Sequence, residues 1–515
     1  MRFGLFFSQQ ISDTCVHKTP SAKGAVTMGC DDFTAMIRLG VLFRIARSFW
    51  AGNLAETVDR IPIEMHPRTG RSILCCTYKD REALEARCLA TLGLDPKEWL
   101  SEGRPLADAV RQAVARTTIS GPFLSVSEVA CSACIRSRYE ITNVCRNCVA
   151  RACRAACPRS AVQIVAGNRA EIDPEKCVSC GKCQQACPYH AIVRITIPCE
   201  EACPVDAIGK NDAGVVTIDP DRCIHCGKCM LACPFGAVLE KSEFLDVLRA
   251  LQGEKPVVAL LAPAVMGQFP GGLAELRERL TALGFRDVVE VARGADLVAL
   301  EEGPEFVARM ARGDRLMTTS CCPACMELVK KHVPQLKPFV SHTRSPMRVM
   351  AEVVKNACPE AVTVFVGPCV AKRQEALTGG EADFVLTFEE LSAMLDAWDG
   401  ERPAAKPLIP DEAAAREGRR FAVAGGVTQA VQTLIGDQTN VKPVMVDGLN
   451  SKAIALLKVY AEKNCPGNFV ELMSCQGGCV AGPGTLVSPA AAAKALEALV
   501  NSSISLKKDS ALGKA

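Results

Sequence analysis

The chain carries, at residues 177–188, the run Cys177-Val178-Ser179-Cys180-Gly181-Lys182-Cys183-Gln184-Gln185-Ala186-Cys187-Pro188. The same C-x2-C-x2-C-x3-C-P spacing returns at residues 223–234. Three closely spaced thiolates can wrap three corners of a cubane iron–sulfur cluster, while the fourth cysteine of each run reaches across to a second cluster. The two runs therefore predict an α+β region that holds several [4Fe-4S] clusters.

A variant run precedes the first one at residues 145–158, with one extra residue between its second and third cysteines. A degenerate run keeps only Cys199 and Cys203-Pro204. The full runs are similar to those of bacterial ferredoxins, in which paired runs exchange their fourth cysteines. The exchange rule predicts three clusters, held by Cys145, Cys148, Cys153 and Cys187, by Cys177, Cys180, Cys183 and Cys157, and by Cys223, Cys226, Cys229 and Cys203.

Four cysteines of this region have no place in those three clusters: the pair Cys131 and Cys134, and the separate Cys199 and Cys233. Together they would complete a fourth cubane. Zinc is the alternative, but zinc ribbons use well-separated pairs of CxxC units, and the full runs do not have that form. For Cys131 and Cys134 alone, zinc or unliganded thiols remain open.

Three further cysteine stretches lie closer to the C-terminus. They read Thr319-Ser320-Cys321-Cys322-Pro323-Ala324-Cys325, Gly367-Pro368-Cys369-Val370-Ala371-Lys372-Arg373-Gln374-Glu375 and Glu471-Leu472-Met473-Ser474-Cys475-Gln476-Gly477-Gly478-Cys479. Each places one or two thiols in a turn shaped by Gly or Pro, and together they offer the four thiolates that a cubane needs. In order and spelling they resemble the signature motifs of [FeFe]-hydrogenases, which hold the hydrogen-activating H-cluster.

This resemblance implies a role for each matching cysteine. Cys322, Cys369 and Cys475 would ligate the cubane, and Cys479 would bridge it to a two-iron subcluster with CO, cyanide and a bridging dithiolate. Cys321 would be a free thiol and the terminal proton donor. The remaining positions implied at the cluster are Lys372, as donor to an iron-bound cyanide, and Met473, Pro263, Ala264, Ser345 and Pro346; for the Pro, Ala and Ser positions, ordinary turn chemistry explains the residues equally well.

The resemblance also implies a proton route from Glu305 through Ser341 and Glu302 to Cys321. Glu302 and Glu305 are one turn apart on an expected helix, and Ser341 follows the first motif. Taken alone, such a pair of carboxylates on a helix is more often a solvated face.

The motifs depart from the familiar catalytic relatives. Ala324-Cys325 stands where those have Gly-Trp, and Gly367 stands where they have Met. These departures resemble the monomeric group B branch, and they remove bulk near the two-iron site without removing a ligand. We expect Cys325, like the vicinal pair Cys75 and Cys76, to be a small buried hydrophobe.

Composition excludes several classes of protein. The net charge of +3 over 515 residues gives no strong field for nucleic acid or an acidic membrane. The sequence contains no run of about 18 apolar residues, and its first residues lack the apolar region of a secretory signal. The chain has 29 cysteines, many of them in metal-ligand spacings, and because so many free thiolates need a reducing compartment, we expect a cytoplasmic protein.

The chain divides into four predicted regions. Residues 1–130 are expected to be mainly helical, with helices near 35–50 and 81–92, and residues 131–245 form the ferredoxin-like cluster region. Residues 255–490 alternate helices with short apolar segments that read as strands, such as 257–261, 363–366 and 421–424, which predicts an α/β domain. The resemblance implies that this domain has two lobes, with small sheets flanked by helices around the H-cluster. Residues 491–515 are expected to be the end of the last helix and a flexible tail.

The resemblance as a whole implies a ferredoxin-linked [FeFe]-hydrogenase that interconverts protons, electrons and H2. Its implied partners are ferredoxin or a similar low-potential carrier and the hydrogenase maturation proteins. Two alternatives remain: an H2-sensing regulatory protein, and a non-catalytic hydrogenase-like protein of iron–sulfur assembly. Such assembly proteins generally lose the free thiol and the lysine that are present here as Cys321 and Lys372.

Overall fold

The computed structural model describes residues 33–69, 72–134, 138–165, 169–400, 402, 407–410 and 413–506. The described residues before 116 are mainly helical, as predicted, and the helices expected near 35–50 and 81–92 are both present. Among the described residues, no helix is both long and apolar enough to cross a membrane. The helices are α1 (Phe33–Trp50), α2 (Leu54–Thr57), α3 (Ile61–Met65), α4 (Thr77–Thr91), α5 (Pro96–Ser101) and α6 (Leu106–Ala115).

The cluster region is built from two-stranded antiparallel ribbons and short helices, which confirms its predicted α+β class. Each full cysteine run passes through a left-handed glycine, Gly181 or Gly227, directly into one of these helices. The ribbons pair β1 (Leu124–Val126) with β8 (Val238–Glu240), β2 (Arg138–Ile141) with β5 (Ile192–Ile195), β3 (Val162–Ile164) with β4 (Ala170–Ile172), and β6 (Ile208–Lys210) with β7 (Val216–Ile218). The helices are α7 (Ala152–Ala155), α8 (Lys182–Ala186), α9 (Pro198–Ala202), α10 (Lys228–Ala232) and α11 (Phe244–Gln252).

The C-terminal half contains two small parallel sheets, as the α/β prediction requires. The four-stranded sheet has the order β10 (Asp287–Glu290), β9 (Val257–Leu261), β12 (Val362–Val366) and β13 (Phe384–Leu386). The three-stranded sheet has the order β11 (Met317–Thr318), β15 (Phe469–Met473) and β14 (Pro443–Asp447). The central strands β9, β12 and β15 are apolar and almost entirely buried, as expected for strands covered on both faces.

The helices of this half carry the functional turns at their N-termini. They are α12 (Gly272–Leu283), α13 (Val291–Arg312), α14 (Pro323–His332), α15 (Pro346–Ala357), α16 (Ala371–Gly379), α17 (Phe388–Ala397), α18 (Arg416–Arg420), α19 (Gly426–Ile435), α20 (Ser451–Glu462) and α21 (Pro489–Asn501). Helix α13 packs against α15 and α19, and α17 packs against α1. Buried side chains of α1, α4 and α6 thereby join the core of the four-stranded sheet.

A buried ion network ties the cluster region to the C-terminal half. The side chain of Arg373 on α16 is fully buried and lies 2.5 Å from Glu240 of β8. Its guanidinium also donates to Glu390 on α17 at 2.7 Å. Since β1 precedes residue 131 and pairs with β8, the N-terminal helices and the cluster region are linked as well. The boundaries drawn from the sequence stay predictions.

Residues 421–424, which read as an apolar strand, form a turn between α18 and α19. The strand prediction is wrong because a short apolar run does not distinguish a buried strand from a buried turn. Phe421 and Ala422 are buried, and the turn ends at Gly425 with a φ of 87°, which strand backbone does not adopt. A Cβ on Gly478 would lie 2.6 Å from the Ala422 carbonyl, so the turn packs directly on the third cysteine stretch.

Two further expectations differ from the structure. Cys75 and Cys76 are exposed rather than buried, because they lie on a surface loop before α4. Residues 502–506, expected to fray, fold back: Leu506 is buried and its backbone N–H donates to Glu417 at 2.7 Å. The predicted flexible tail also includes residues 507–515, which lie outside the described residues.

Candidate iron–sulfur sites and active site

The three C-terminal cysteine stretches follow parallel strands. The first follows β11, the second follows β12, and the third follows β15. Ligands in α/β folds bind beyond the carboxyl ends of such strands, where the turns into the next helices meet. Because β11 and β15 are neighbours in one sheet and β12 lies in the other, the stretches converge between the two sheets.

They line one cavity, which is partly open to solvent. All four cysteines implied as H-cluster ligands line it, and so does Cys321. Most of the other residues implied to contact the cluster also line this cavity. The predicted residues along this cavity are Cys321, Cys322, Cys369, Cys475, Cys479, Lys372, Met473, Pro263, Ala264 and Pro346.

The electrostatics of the cavity indicate that its thiols lie close together. Burial and then the thiols of Cys369 and Cys479 raise the pKa of Cys475. The thiol of Cys325 lowers the pKa of Cys322 to about 6 by donating to its sulfur. Bound iron favours thiolates, so this crowded donor set fits an iron cluster and is costly without one.

Cys325 is fully buried, as predicted, but it is more than a hydrophobe, because its thiol faces the sulfur of Cys322. The sequence offered a signal in the C-P-A-C spacing, which places Cys325 on the first turn of α14.

Lys372 reaches the cavity from the first turn of α16. Its Nζ lies 2.6 Å from Glu375 Oε2 and 3.0 Å from Ser345 Oγ. Ser345 therefore orients the lysine, and its own side chain does not line the cavity. The pairing with Glu375 was not foreseen, although the i,i+3 spacing on a helix could have indicated it.

Glu302 and Glu305 lie on α13, one turn apart, as predicted. The hydroxyl of Ser341 donates to Glu305 Oε2 at 2.7 Å. Glu305 is also held by Arg309 at 2.8 Å and by His342, whose Nδ1 lies 3.1 Å from Oε1. The side chain of His342 is largely exposed, so this group connects Glu305 with solvent. Sequence reasoning missed His342, for which the chain gives no local signal.

Glu302 lies deeper in the protein than Glu305. It is 1% exposed, and burial followed by the charge of Glu305 raises its pKa to about 8. Its contact with Ser341 acts in the opposite direction. Burial and then Glu302 in turn raise the pKa of Cys321. The structure therefore brings Glu305, Ser341 and Glu302 into contact, with Cys321 near enough to Glu302 for the carboxylate charge to act on its thiol.

The first two predicted cubane sets also converge. Burial and then the thiols of Cys187, Cys148 and Cys145 raise the pKa of Cys153. The second set lines one small pocket. The cysteines lining that pocket are Cys157, Cys177, Cys180 and Cys183.

The third set lies directly beside the large cavity. Burial and then the thiols of Cys226, Cys223 and Cys203 raise the pKa of Cys229. Cys226 itself lines the large cavity. A Cβ on Gly227 would lie 2.8 Å from Val370, so the third site and the second C-terminal stretch are in close contact.

Backbone conformation links Cys131 and Cys134 to the other cysteine runs. In three runs, the residue before the second cysteine has a left-handed backbone: Asn147 (φ 50°), Ser179 (φ 52°) and His225 (φ 56°). Ala133 has the same conformation, with a φ of 47°. Since a left-handed alanine is strained, the shared conformation indicates that residues 131–134 form the same kind of ligand loop.

The remaining cysteines lie nearby. Ser127, before this loop, donates its backbone N–H to the carbonyl of Ala237 at 2.8 Å, which places the loop beside the Cys233 turn. Burial and then Cys233 raise the pKa of Cys199 to about 11. Cys131, Cys134, Cys199 and Cys233 all pack in one apolar cluster.

The chain matches two kinds of known domain. Residues 255–483 match the iron only hydrogenase large subunit, C-terminal domain. Residues 170–193 and 215–238 each match a 4Fe-4S binding domain, and these matches cover the two full cysteine runs.

Known proteins resemble the chain at low identity. Iron hydrogenase 1 of Clostridium pasteurianum is 28% identical over 73% of this chain and 75% of its own length. A probable cytosolic Fe-S cluster assembly factor of Drosophila persimilis is 25% identical over 40% of this chain and 55% of its own length. An apo [FeFe]-hydrogenase variant from Chlamydomonas reinhardtii, known by its structure, is 22% identical with a TM-score of 0.39, covering 50% of this chain and 88% of its own. The matched domains and the cysteine motifs identify the chain as a hydrogenase-like protein with ferredoxin-like 4Fe-4S motifs.

Proposed function

We propose that the protein is an [FeFe]-hydrogenase that interconverts H2 with two protons and two electrons. The observation that carries this proposal is the cavity lined both by the four cysteines implied as H-cluster ligands and by Cys321, a thiol that none of the cluster sets uses. A cubane that only transfers electrons uses four thiolates and needs no further ionisable group beside it. A buried thiol at the end of a carboxylate chain is instead suited to delivering protons.

The residues of the cavity fit an H-cluster. Cys322, Cys369 and Cys475 would hold its cubane, and Cys479 would bridge the cubane to the two-iron subcluster. When bound, the cluster supplies the iron chemistry by which protons and electrons combine. Lys372, fixed by Glu375 and Ser345, places a donor at the cavity wall for an iron-bound cyanide.

Protons reach the cavity through this chain's own side chains. His342 exchanges protons with solvent and contacts Glu305. The hydroxyl of Ser341 can accept a proton from Glu305 and pass its own proton to Glu302. Glu302 then hands a proton to Cys321. Because burial holds the pKa of Glu302 near 8, this carboxyl both gains and loses a proton readily close to neutral pH.

Electrons travel through the cysteine sites of the cluster region. Cys180 is exposed, and so is the neighbouring Val178, so the second cubane lies near the surface. Cys226 and its partners would hold the third cubane directly beside the cavity that Cys226 lines, where the cubane would supply a one-electron redox centre. We place a fourth cubane on the set Cys131, Cys134, Cys199 and Cys233, supported by the left-handed backbone at residue 133.

The partners follow from this chemistry. We propose a ferredoxin or similar low-potential carrier for the electrons, and hydrogenase maturation proteins for assembly of the two-iron subcluster. A cytoplasmic location would keep the many thiolates reduced.

The competing function is iron–sulfur cluster assembly without turnover, which the likeness to assembly factors favours. Two variants separate the functions. Cys321→Ala should retain the iron of the matured protein and lower H2 evolution from reduced viologen by at least about a hundredfold. Cys322→Ala should instead lose iron at the cavity. A matured wild-type protein that neither evolves H2 nor exchanges H2 with D2O would contradict the hydrogenase proposal.

A further inference from the structure

Two cysteines outside every cluster site lie together on the surface. Cys75 and Cys76 are both exposed, and their sulfurs are 3.8 Å apart. Adjacent residues of an extended strand point their side chains to opposite sides. The short separation therefore shows that the backbone before α4 turns both thiols to the same side.

The loop that carries the pair is fixed by a buried carboxylate. Asp80, 5% exposed, accepts hydrogen bonds from Ser72 Oγ at 2.7 Å, from the Ile73 N–H at 3.0 Å and from the Leu74 N–H at 2.8 Å. His66 Nε2 lies 3.1 Å from the same carboxylate. Since these bonds hold the loop from behind, the thiols are presented in a defined geometry.

The two thiols are chemically unequal. Cys76 immediately precedes α4, a helix of 15 residues. The backbone N–H of Lys79 and then the thiol of Cys75 lower the pKa of Cys76. Cys75 donates to Cys76, which leaves Cys76 as the better nucleophile and Cys75 as its neighbour.

We propose that Cys75 and Cys76 form a redox-active dithiol that exchanges with disulfides, with Cys76 attacking and Cys75 resolving. The Cys76 thiolate attacks one sulfur of a disulfide RSSR, forming a mixed disulfide and releasing RS⁻. Cys75 gives up its proton and attacks the Cys76 sulfur, which forms the Cys75–Cys76 disulfide and releases the second RS⁻. The pair thereby loses two electrons and its two protons, and the disulfide becomes two thiols.

The reacting partner is a disulfide, either of a small thiol or of a protein. The flanking side chains of Ile73 and Tyr78 are 55% and 71% exposed, which gives the pair an apolar border. Thiol–disulfide exchange runs in both directions, so an excess of a thiol reduces the pair again.

The positions of the tryptic cleavage sites allow a direct test of this proposal. Trypsin cleaves after Arg71 and Lys79, so residues 72–79 form one peptide that contains Cys75 and Cys76 and no other cysteine. The full-length, cluster-loaded protein would be incubated anaerobically with oxidised glutathione, blocked with N-ethylmaleimide and analysed by mass spectrometry. We expect this peptide to lose two hydrogens and to carry no maleimide.

Single variants assign the roles. Cys75→Ser should stop at a glutathione adduct on Cys76, and Cys76→Ser should react at least about tenfold more slowly. Iron content equal to that of the wild type shows that the variants fold. A second arm with oxidised thioredoxin as the probe distinguishes a protein partner from a small one by which of the two probes reacts faster.

The matched control is a synthetic peptide of residues 72–79. If both cysteines of the protein react at the rate of this free peptide, or if neither reacts in either arm, the proposed dithiol is wrong. Because the readout is the state of one peptide, the outcome does not depend on whether the protein turns over H2.

Discussion

Glu302→Gln should make the folded protein more stable and the enzyme slower. The side chain is buried on α13, and its Oε1 has no hydrogen-bond partner in the part of the chain that the structure describes. Burial and then Glu305 raise its pKa from the ordinary 4.5 to about 8. At pH 7 about nine in ten molecules therefore carry a protonated Glu302.

The size of the stability effect follows from proton linkage. The folded state binds the Glu302 proton more tightly than the unfolded state, so the contribution to stability is complete below pH 4.5. It is lost as the pH rises through about 8. Relative to low pH, the stability lost is about 3 kcal/mol at pH 7 and about 5 kcal/mol at pH 9. Glutamine cannot ionise, so the variant does not lose this contribution.

The assay is urea unfolding of the cluster-free protein at pH 5, 7 and 9, combined with H2 evolution by the matured protein at pH 7. We expect the stability gained by Glu302→Gln to grow with pH, and turnover to fall by about a hundredfold or more because Gln cannot pass a proton. Glu301→Gln is the matched control, since its side chain is the exposed neighbour on the same helix.

Two results would refute this reasoning. Equal pH dependence of unfolding in wild type and Glu302→Gln would show that the carboxyl titrates normally. Turnover of Glu302→Gln within a factor of two of the Glu301→Gln control would remove Glu302 from the proton route.

The other predictions concern the relay hydroxyl, the cluster count and the buried ion network. Ser341→Ala should lower H2 turnover at least about tenfold with unchanged iron content, because it breaks the contact with Glu305; wild-type turnover would exclude the hydroxyl. Residues 131–245 of the full chain should hold about 16 iron atoms, and Cys131→Ser/Cys134→Ser should remove about four, whereas no loss of iron would leave three clusters. Arg373→Ala should destabilise the protein by about 3–5 kcal/mol in urea unfolding, because it strands buried carboxylates. Arg348→Ala, at a partly exposed pair, should cost about 1 kcal/mol or less, and equal effects of the two arginine variants would contradict the role of the buried network.

The cysteine sites could be predicted from sequence because their ligand spacing is local. A C-x2-C-x2-C-x3-C-P run fixes three sulfurs within one loop, and the exchange of the fourth cysteine fixes the pairing. The structure accordingly brings Cys153 beside Cys187, and Cys183 beside Cys157. From sequence, Cys131 and Cys199 could be assigned to one cluster only by counting the cysteines left over. Whether they come together depends on how β1 and the last cysteine run pack.

Other features depend on tertiary contacts that no local pattern encodes. The turn at residues 421–424 is as apolar as a strand because it is buried against Gly478. The apolar sequence indicates that the segment is buried but not whether it is a strand or a turn. His342 becomes part of the site only because Ser341 and α13 come together. A free cysteine such as Cys75 is usually buried as a small apolar residue. Its exposure here follows from the hydrogen bonds that Asp80 accepts from the loop.

Infrared spectroscopy of the matured protein tests the central claim most directly. If Cys322, Cys369, Cys475 and Cys479 hold an H-cluster, the spectrum should contain bands of iron-bound CO and cyanide. Those bands should persist in Cys321→Ala and disappear in Cys479→Ala. Absence of the bands in wild-type protein that has been matured by competent maturation proteins, with its cubanes loaded, would contradict the hydrogenase account.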